Sequence, residues 1–184
     1  MRTALLAATA AVVFAVVSAS TASAGSYSWG AYVAPESACP RAGSVHTSPA
    51  LQKRAMVCLV NWARGRAGLR PLHRSRVLAN AAGSKVDIIA SCRDFSHRPC
   101  GTRWPAAATR QTRYTIWGEN LYYGTPSVSS PRAAVLAWLN SPEHRAVLFG
   151  RAWRDIGVTV HRAPALVGNA RVSVWVLEVA GRSR

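Results

Sequence analysis

Apolar residues recur at helical spacing in the first half of the chain and alternate in its last third. Ser48-Pro49 is a typical N-cap followed by a typical first helical residue, and Gly68 is a typical stop. We therefore predict a helix between them, followed by a second helix that Ser75 caps and that ends near Cys92. The apolar face of the first helix is predicted to carry Leu51, Ala55, Cys58, Leu59 and Trp62.

Two further pairs of Ser and Pro predict two later helices. One begins at Ser130-Pro131, and its apolar side includes Trp138. The other begins at Ser141-Pro142 and is short, because Gly150 is expected to end it. We interpret Trp62, Trp138 and Trp175 as core residues, since all three lie in regular elements.

The remaining periodic segments are typical of strands. Residues 117–123 are strand-like in composition, and Ile156, Val158 and Val160 alternate with smaller or polar residues. Residues 172–179 are apolar on both faces, which predicts a central strand, and residues 163–170 suit a hairpin connection. Helices come first and antiparallel strands last, so we predict an α+β layered domain.

The first residues predict a secreted protein. Arg2, an uncharged apolar stretch and Ala22-Ser23-Ala24 form a typical secretory signal, which we assign to residues 1–24. No later run is apolar enough to cross a bilayer, so we expect no transmembrane segment in the mature chain. Residues 25–47 are interpreted as an extended leader and residues 48–184 as a single domain.

Cysteine usage agrees with export. All four cysteines lie in the mature part, and an even count there favours two disulfides over a metal site. Four cysteines allow three pairings. We favour Cys92–Cys100, because a short polar ring closes readily around Phe95-Ser96-His97, and this leaves Cys39–Cys58 to join the leader to the first helix.

The chain is strongly basic. Its 23 Lys and Arg residues exceed its seven Asp and Glu residues, giving a formal net charge of +16. Such a charge attracts polyanions, which outside a cell are wall polymers, anionic lipid head groups and nucleic acid. The basic residues are scattered, so a compositional preference for Arg explains them equally well. Export and the lack of a recognition motif count against nucleic acid.

Because acidic residues are scarce, Glu119 is the first candidate for a functional side chain. It lies between Gly118 and Asn120 in an otherwise apolar and aromatic run, which indicates a fixed partner. His144 is expected at the third position of the short helix, where the helix dipole disfavours imidazolium and favours a neutral ring. Glu143 is explained by the same dipole, so we interpret it as structural.

Five segments of the chain occur in the order found in one secreted family. They are Leu59-Val60-Asn61-Trp62-Ala63-Arg64 with Gly68-Leu69-Arg70-Pro71-Leu72, Phe95-Ser96-His97, Gly118-Glu119-Asn120, Trp138-Leu139-Asn140-Ser141-Pro142-Glu143-His144-Arg145, and Asp155-Ile156-Gly157-Val158 with Val174-Trp175-Val176. On these segments, which cover about residues 55–180, the chain resembles the CAP superfamily (cysteine-rich secretory proteins, antigen 5, pathogenesis-related 1) in its bacterial SCP-like branch.

The resemblance implies a three-layer α-β-α sandwich with a large cleft. The cleft residues of the family correspond here to His97, Glu119 and His144, and in some members such residues bind zinc. Eukaryotic members carry a second Glu three residues after the helix Trp. Here Ser141 stands at that spacing from Trp138, so one carboxylate of the family's set is missing.

We therefore predict a monomeric, secreted binding module, free or associated with the wall, that holds a metal ion, a lipid or an anionic envelope component. Trp104 and Trp117 are candidates for its cleft wall. The alternative is a zinc-assisted hydrolase, with His97 and His144 as ligands and Glu119 as ligand or general base. The binding module is favoured because the chain contains no HExxH helix, because the second carboxylate is missing, and because the family it resembles is known more for binding and signalling than for one reaction.

Overall fold

The computed structural model of the chain describes residues 29–103, 114–167 and 170–182. The predicted signal peptide and Trp104 lie outside these ranges. The described helices are α1 (Pro49–Arg66), α2 (Arg76–Cys92), α3 (Pro131–Asn140) and α4 (Pro142–Leu148). The described strands are β1 (His73–Arg74), β2 (Ile116–Gly124), β3 (Trp153–Val167) and β4 (Ala170–Gly181).

The four described strands form one sheet in the order β1-β3-β4-β2. Strand β4 pairs antiparallel with both β2 and β3, and the short β1 adds parallel to β3. Helix α2 packs on one face of the sheet, while α1, α3 and α4 cover the other face. The three-layer α+β fold is therefore confirmed, and β4 is the central strand that its two apolar faces predicted.

Side-chain caps fix three of the four helix starts. Ser48, Ser75 and Ser130 each accept a hydrogen bond from the backbone amide three residues later, at 3.2 to 3.4 Å. Ser141 stands before α4 in the same way but makes no such bond. Its hydroxyl is used elsewhere, as described below. Within the described residues, no helix is long and apolar enough to cross a membrane.

The leader differs from its prediction. Its described part, residues 29–47, is a 3-10 turn (Trp29–Tyr32) followed by further turns rather than an extended segment. Ala34, Cys39 and Ala42 are completely buried in the core beside α1. The disulfide between Cys39 and Cys58 holds this segment against α1, and a second disulfide joins Cys92 to Cys100. The leader is thus a part of the folded core, because its small apolar residues pack there.

The predicted apolar face of α1 was also wrong by about one position. Trp62 is 37% exposed and Leu51 is exposed as well, whereas the buried stripe includes Gln52 and Arg64. Gln52 is buried because its amide donates to the carbonyls of Val45 and Thr47. The buried face of α1 could not be identified from apolar residues alone, because it includes these two polar residues. The connection predicted at 163–170 is shorter than expected, since β3 extends to Val167 and β4 begins at Ala170.

Arg64 joins α1 to the segment between α1 and β1 and to the segment between α4 and β3. It is 1% exposed, and its guanidinium donates to the carbonyls of Arg70, Leu148 and Gly150 at 2.7 to 3.1 Å. Burial, followed by repulsion from Arg154, lowers the pKa of Arg64 to about 10, so it remains charged at neutral pH. Asn61 lies one turn before Arg64 on α1, and its side chain binds both the amide and the carbonyl of Leu72. These contacts give Asn61 and Arg64 structural roles.

We expect Arg64→Met to lower the free energy of unfolding by roughly 3 kcal/mol, because three buried carbonyls would lose their donors. Arg66→Met is the matched control, since Arg66 is exposed on the same helix and should change stability by no more than about 0.5 kcal/mol. Urea unfolding of the two variants measures the difference. Equal losses of stability in the two variants would show that the three buried hydrogen bonds of Arg64 do not stabilise the fold.

Candidate functional site

The motif Gly118-Glu119-Asn120 lies on β2, at an edge of the described sheet, and each residue has a separate task. A Cβ on Gly118 would lie 3.0 to 3.2 Å from Trp153, Val179 and Val147, so glycine allows α4 to pack closely. Glu119 and Asn120 point to opposite faces of the sheet because they are neighbours on a strand. The motif therefore serves both helical layers at once.

Glu119 faces the α2 layer, where Lys85 and His97 bind it. Its side chain is 1% exposed, its Oε1 lies 2.6 Å from Nδ1 of His97, and its Oε2 lies 3.4 Å from Nζ of Lys85. Lys85 also donates to the backbone carbonyl of His97. One ammonium group thus neutralises the carboxylate and holds the loop that carries the imidazole.

The His97 loop has two further attachments. The Cys92–Cys100 disulfide closes it, and Asp94 accepts a hydrogen bond from the amide of Cys100 at 3.1 Å. Phe95 packs edge-on against Tyr123 of β2, with ring centroids 4.7 Å apart. The imidazole of His97 is therefore held in place although its side chain is 57% exposed.

Asn120 faces the other layer and connects β2 to the first turn of α4. Its amide donates to the backbone carbonyl of His144 at 3.0 Å. The loop that carries His97 and the first turn of α4 therefore adjoin β2 on opposite faces of the sheet. Burial, followed by repulsion from His97, lowers the pKa of His144, whereas Glu143 opposes the shift. The expected neutral state of His144 is thus favoured, with burial as the largest cause.

Ser141 makes a hydrogen-bonded chain with its two neighbours. Its hydroxyl donates to Oε2 of Glu143 at 2.9 Å and lies 2.7 Å from Nδ1 of His144. Because the single hydroxyl proton goes to Glu143, Nδ1 of His144 is the donor in the second bond. Glu143 is fully exposed, and its pKa is lowered first by its own backbone amide and then by Ser141. It acts on His144 through Ser141.

Glu178 is a buried carboxyl that sequence reasoning missed. It stands directly opposite Glu119 in the β2–β4 register and is 1% exposed. Both of its carboxyl oxygens are buried, and the group that faces them is the carboxylate of Glu119. Burial, then repulsion from Glu119, raises the pKa of Glu178 well above its usual value, while Lys85 opposes this shift. Because Lys85 and His97 bind Glu119, the raised pKa favours the protonated form of Glu178.

Lys85 and Glu178, which the sequence analysis did not name, both had a signal in the sequence. Lys85 lies on the apolar stripe of α2 between Ala82 and Ile89, and it is one of only two lysines in an arginine-rich chain. Glu178 is the only charge within the apolar segment 172–180. A charge on a buried face predicts a partner, but it does not identify that partner.

The predicted residues are thus brought together unequally. His97 contacts Glu119 directly, and His144 is close enough for the charge of His97 to affect it. Trp117 lies on the same face of β2 as Glu119 and is half-buried. Its indole N–H is buried without a partner among the described residues. Within this part of the chain, no three His, Cys, Asp or Glu side chains are arranged to hold a metal ion.

A family model described as the cysteine-rich secretory protein family, CAP, matches residues 57–178. The chain belongs to the CAP family. The uncharacterised protein YkwD of Bacillus subtilis is 27% identical over 117 residues, which are 62% of this chain and 44% of YkwD. The chain therefore spans less than half the length of this relative.

Three solved bacterial structures have the same fold. An outer surface protein of Borrelia burgdorferi has a TM-score of 0.62 and 19% identity, over 74% of this chain and 97% of that one. A cysteine-rich secretory protein of Staphylococcus aureus has a TM-score of 0.56 and 17% identity, over 74% and 41%. An extracellular SCP-domain protein of Bacillus anthracis has a TM-score of 0.54 and 19% identity, over 74% and 44%. The predicted bacterial branch of the family is confirmed.

In this CAP domain we expect the Glu178→Gln variant to change how stability depends on pH. A carboxyl whose pKa is raised on folding stabilises the protein fully only below its unfolded pKa of about 4.3. That contribution is lost as pH rises through the folded pKa, whereas glutamine does not titrate. The free energy of unfolding of the variant should therefore increase relative to the wild type between pH 4 and pH 8.

Urea unfolding at several pH values measures this difference, with Glu36→Gln as the control. That substitution makes the same change from carboxyl to amide on a side chain that is 56% exposed, so no comparable increase is expected. Parallel pH curves for the wild type and the Glu178 variant would contradict the assignment of the raised pKa to Glu178.

We also expect the pKa of His144 to lie below its usual value of 6.5, as measured by NMR titration of the imidazole. The His97→Ala variant should raise the pKa of His144 but should not restore it fully, because burial is the larger cause. His161→Ala is the control. His161 lies on β3, pairs with Asp87 of α2 and makes no contribution to the shift in the pKa of His144. An unchanged pKa of His144 in the His97→Ala variant would show that His97 does not affect the charge of His144.

Proposed function

We propose that the protein acts outside the cell as a binding module that holds a transition-metal ion, best represented by Zn²⁺, between His97 and His144. Two of the structural relatives are described as an outer surface protein and an extracellular protein, which supports the location. The sequence signal for export at residues 1–24 supports it independently.

The observation that carries the proposal is that both imidazoles make a short hydrogen bond to an oxygen through Nδ1. Nδ1 of His97 binds the Glu119 carboxylate, and Nδ1 of His144 binds the Ser141 hydroxyl. When Nδ1 donates its proton to an oxygen, Nε2 keeps its lone pair, which is the state in which histidine binds metals. Ser141 thus gives His144 the acceptor that Glu119 gives to His97.

Glu119 fits a positioning role better than that of a ligand. Its carboxylate is buried and already bound by Lys85 and His97, and it lies on the sheet face away from α4. The domain therefore contributes two imidazoles to the metal, and the remaining coordination positions are open to water or to an external group. A carboxylate or phosphate of an envelope polymer or lipid is suited to those positions.

The zinc-assisted hydrolase is the less favoured alternative. A bound zinc would supply an activated water, but hydrolysis also needs a base that can reach that water. Glu119 is committed to Lys85 and His97, and Glu178 is a buried acid with a raised pKa. Ser141 stands where the resemblance would place a second carboxylate. The described residues therefore favour binding over turnover.

Calorimetric titration of Zn²⁺ into the metal-free protein tests this proposal. We expect saturable binding to one site, weakened at least tenfold in His97→Ala and in His144→Ala. Glu119→Gln should weaken binding by about 10- to 100-fold, as is usual for a residue that orients a metal-ligating histidine. His161→Ala should leave the affinity unchanged, because His161 lies on β3 and its imidazole pairs with Asp87 of α2.

The outcomes separate the candidates. Equal affinity in the wild type and both histidine variants would overturn the two-histidine site. Ester or phosphoester hydrolysis that a chelator abolishes and Zn²⁺ restores would favour the hydrolase instead. Zinc binding without such turnover supports the binding module.

A further inference from the structure

A groove at the opposite edge of the sheet from β2 is lined by three positively charged side chains. Its volume is about 420 Å³, and it lies between α1, the start of α2 and the β3 strand. The lining residues are Lys53, Val57, Arg74, Ser75, Arg76, Ala79, Ile156, Gly157 and Val158. Three of the nine are cationic, and none is acidic.

The three cations of this groove have no partners among the described residues. Lys53, Arg74 and Arg76 form no ion pair and no side-chain hydrogen bond there, unlike Arg64 or Arg132, which have structural partners. Asp155 precedes the β3 residues of the groove, but its carboxylate interacts with the hydroxyl of Tyr114. The positive charge of the groove is therefore not neutralised within this part of the chain.

The floor of the groove is rigid. A Cβ on Gly157 would lie 2.1 Å from the backbone of Leu78, so glycine allows α2 to pack directly against β3. The Ser75 amide donates to the carbonyl of Ile156 at 2.9 Å, and the Ser75 hydroxyl accepts from Leu78. These bonds fix the point at which Arg74 and Arg76 leave the chain.

The groove is separate from the site of His97, Glu119 and His144. The groove lies beside β1 and β3, whereas Glu119 lies on β2, and the central strand β4 stands between β3 and β2. No residue of the groove contacts His97 or His144 by a hydrogen bond or an ion pair in the described structure. A ligand in the groove would therefore add to the proposed metal site rather than replace it.

We propose that this groove binds the phosphate group of a soluble phosphate-bearing molecule. Two guanidinium groups and one ammonium group match the charge of a phosphate or a pair of linked phosphates better than that of a single carboxylate. Arginine binds phosphate oxygens through two parallel hydrogen bonds, and its guanidinium is more easily desolvated than an ammonium group. The recess lies between α1 and the start of α2, so it can admit a phosphate group that is free or carried on a chain.

Calorimetric titration with pyrophosphate at fixed ionic strength tests the groove. We expect one saturable site in the wild type and at least tenfold weaker binding in the triple variant Lys53→Gln, Arg74→Gln, Arg76→Gln. The matched control is Arg66→Gln, Arg93→Gln, Arg162→Gln, which removes the same charge from surface positions outside the groove. The control should retain the affinity within about threefold, because distant exposed charges are screened by salt.

Three results would overturn the proposal. Equal weakening in both triple variants would show general attraction to net charge. Full affinity in the groove variant would place the phosphate elsewhere. Binding to phosphatidylglycerol vesicles but not to pyrophosphate, lost in the groove variant, would make the groove a membrane contact. Single Arg74→Gln and Arg76→Gln variants provide the same comparison if the triple variant is unfolded by circular dichroism.

Discussion

The buried charge of Glu119 determines the arrangement of the β2 edge. A carboxylate with 1% exposure is stable only when a cation neutralises it, and Lys85 supplies that cation from the middle of α2. The same ammonium group holds the carbonyl of His97, so a single ion pair aligns a helix, a loop and a strand. The neighbouring carboxyl of Glu178 then has no cation of its own and is driven toward its neutral form. The position of the His97 imidazole is therefore a consequence of how one charge is buried.

Much of the fold could be predicted because its signals are local. Ser-Pro pairs mark the starts of α1, α3 and α4, and three of four serine caps form as expected. The apolar residues on both faces of 172–179 are sufficient to identify a central strand, since only a strand covered on both sides has this composition. Both favoured disulfides are present, because the shortest polar ring was the easiest to close. His97 and Glu119 could be named, but only the resemblance to a family joined them.

The remaining features depend on contacts between distant segments. Gln52 and Arg64 are buried on α1 because backbone carbonyls outside the helix accept their hydrogen bonds. No periodicity shows such partners, and Trp62 was therefore assigned to the core although it is 37% exposed. The pairing of Glu178 with Glu119 depends on the register of two strands, which the sequence does not specify. Ser141 was noted as a missing carboxylate, whereas the structure makes it the acceptor for His144.

The position of β4 in the sheet has a consequence for the order of events during synthesis. Strands β2 and β3 do not pair with each other, and their long ladders both need residues 170–181. A ribosome that has completed the first three strands has therefore produced a chain whose described strands can form only the two-residue pairing of β1 with β3. The two long ladders of the described sheet can therefore form only after the residues of β4 have been synthesised. A chain cut short before residue 170 would therefore lack both long ladders of the described sheet.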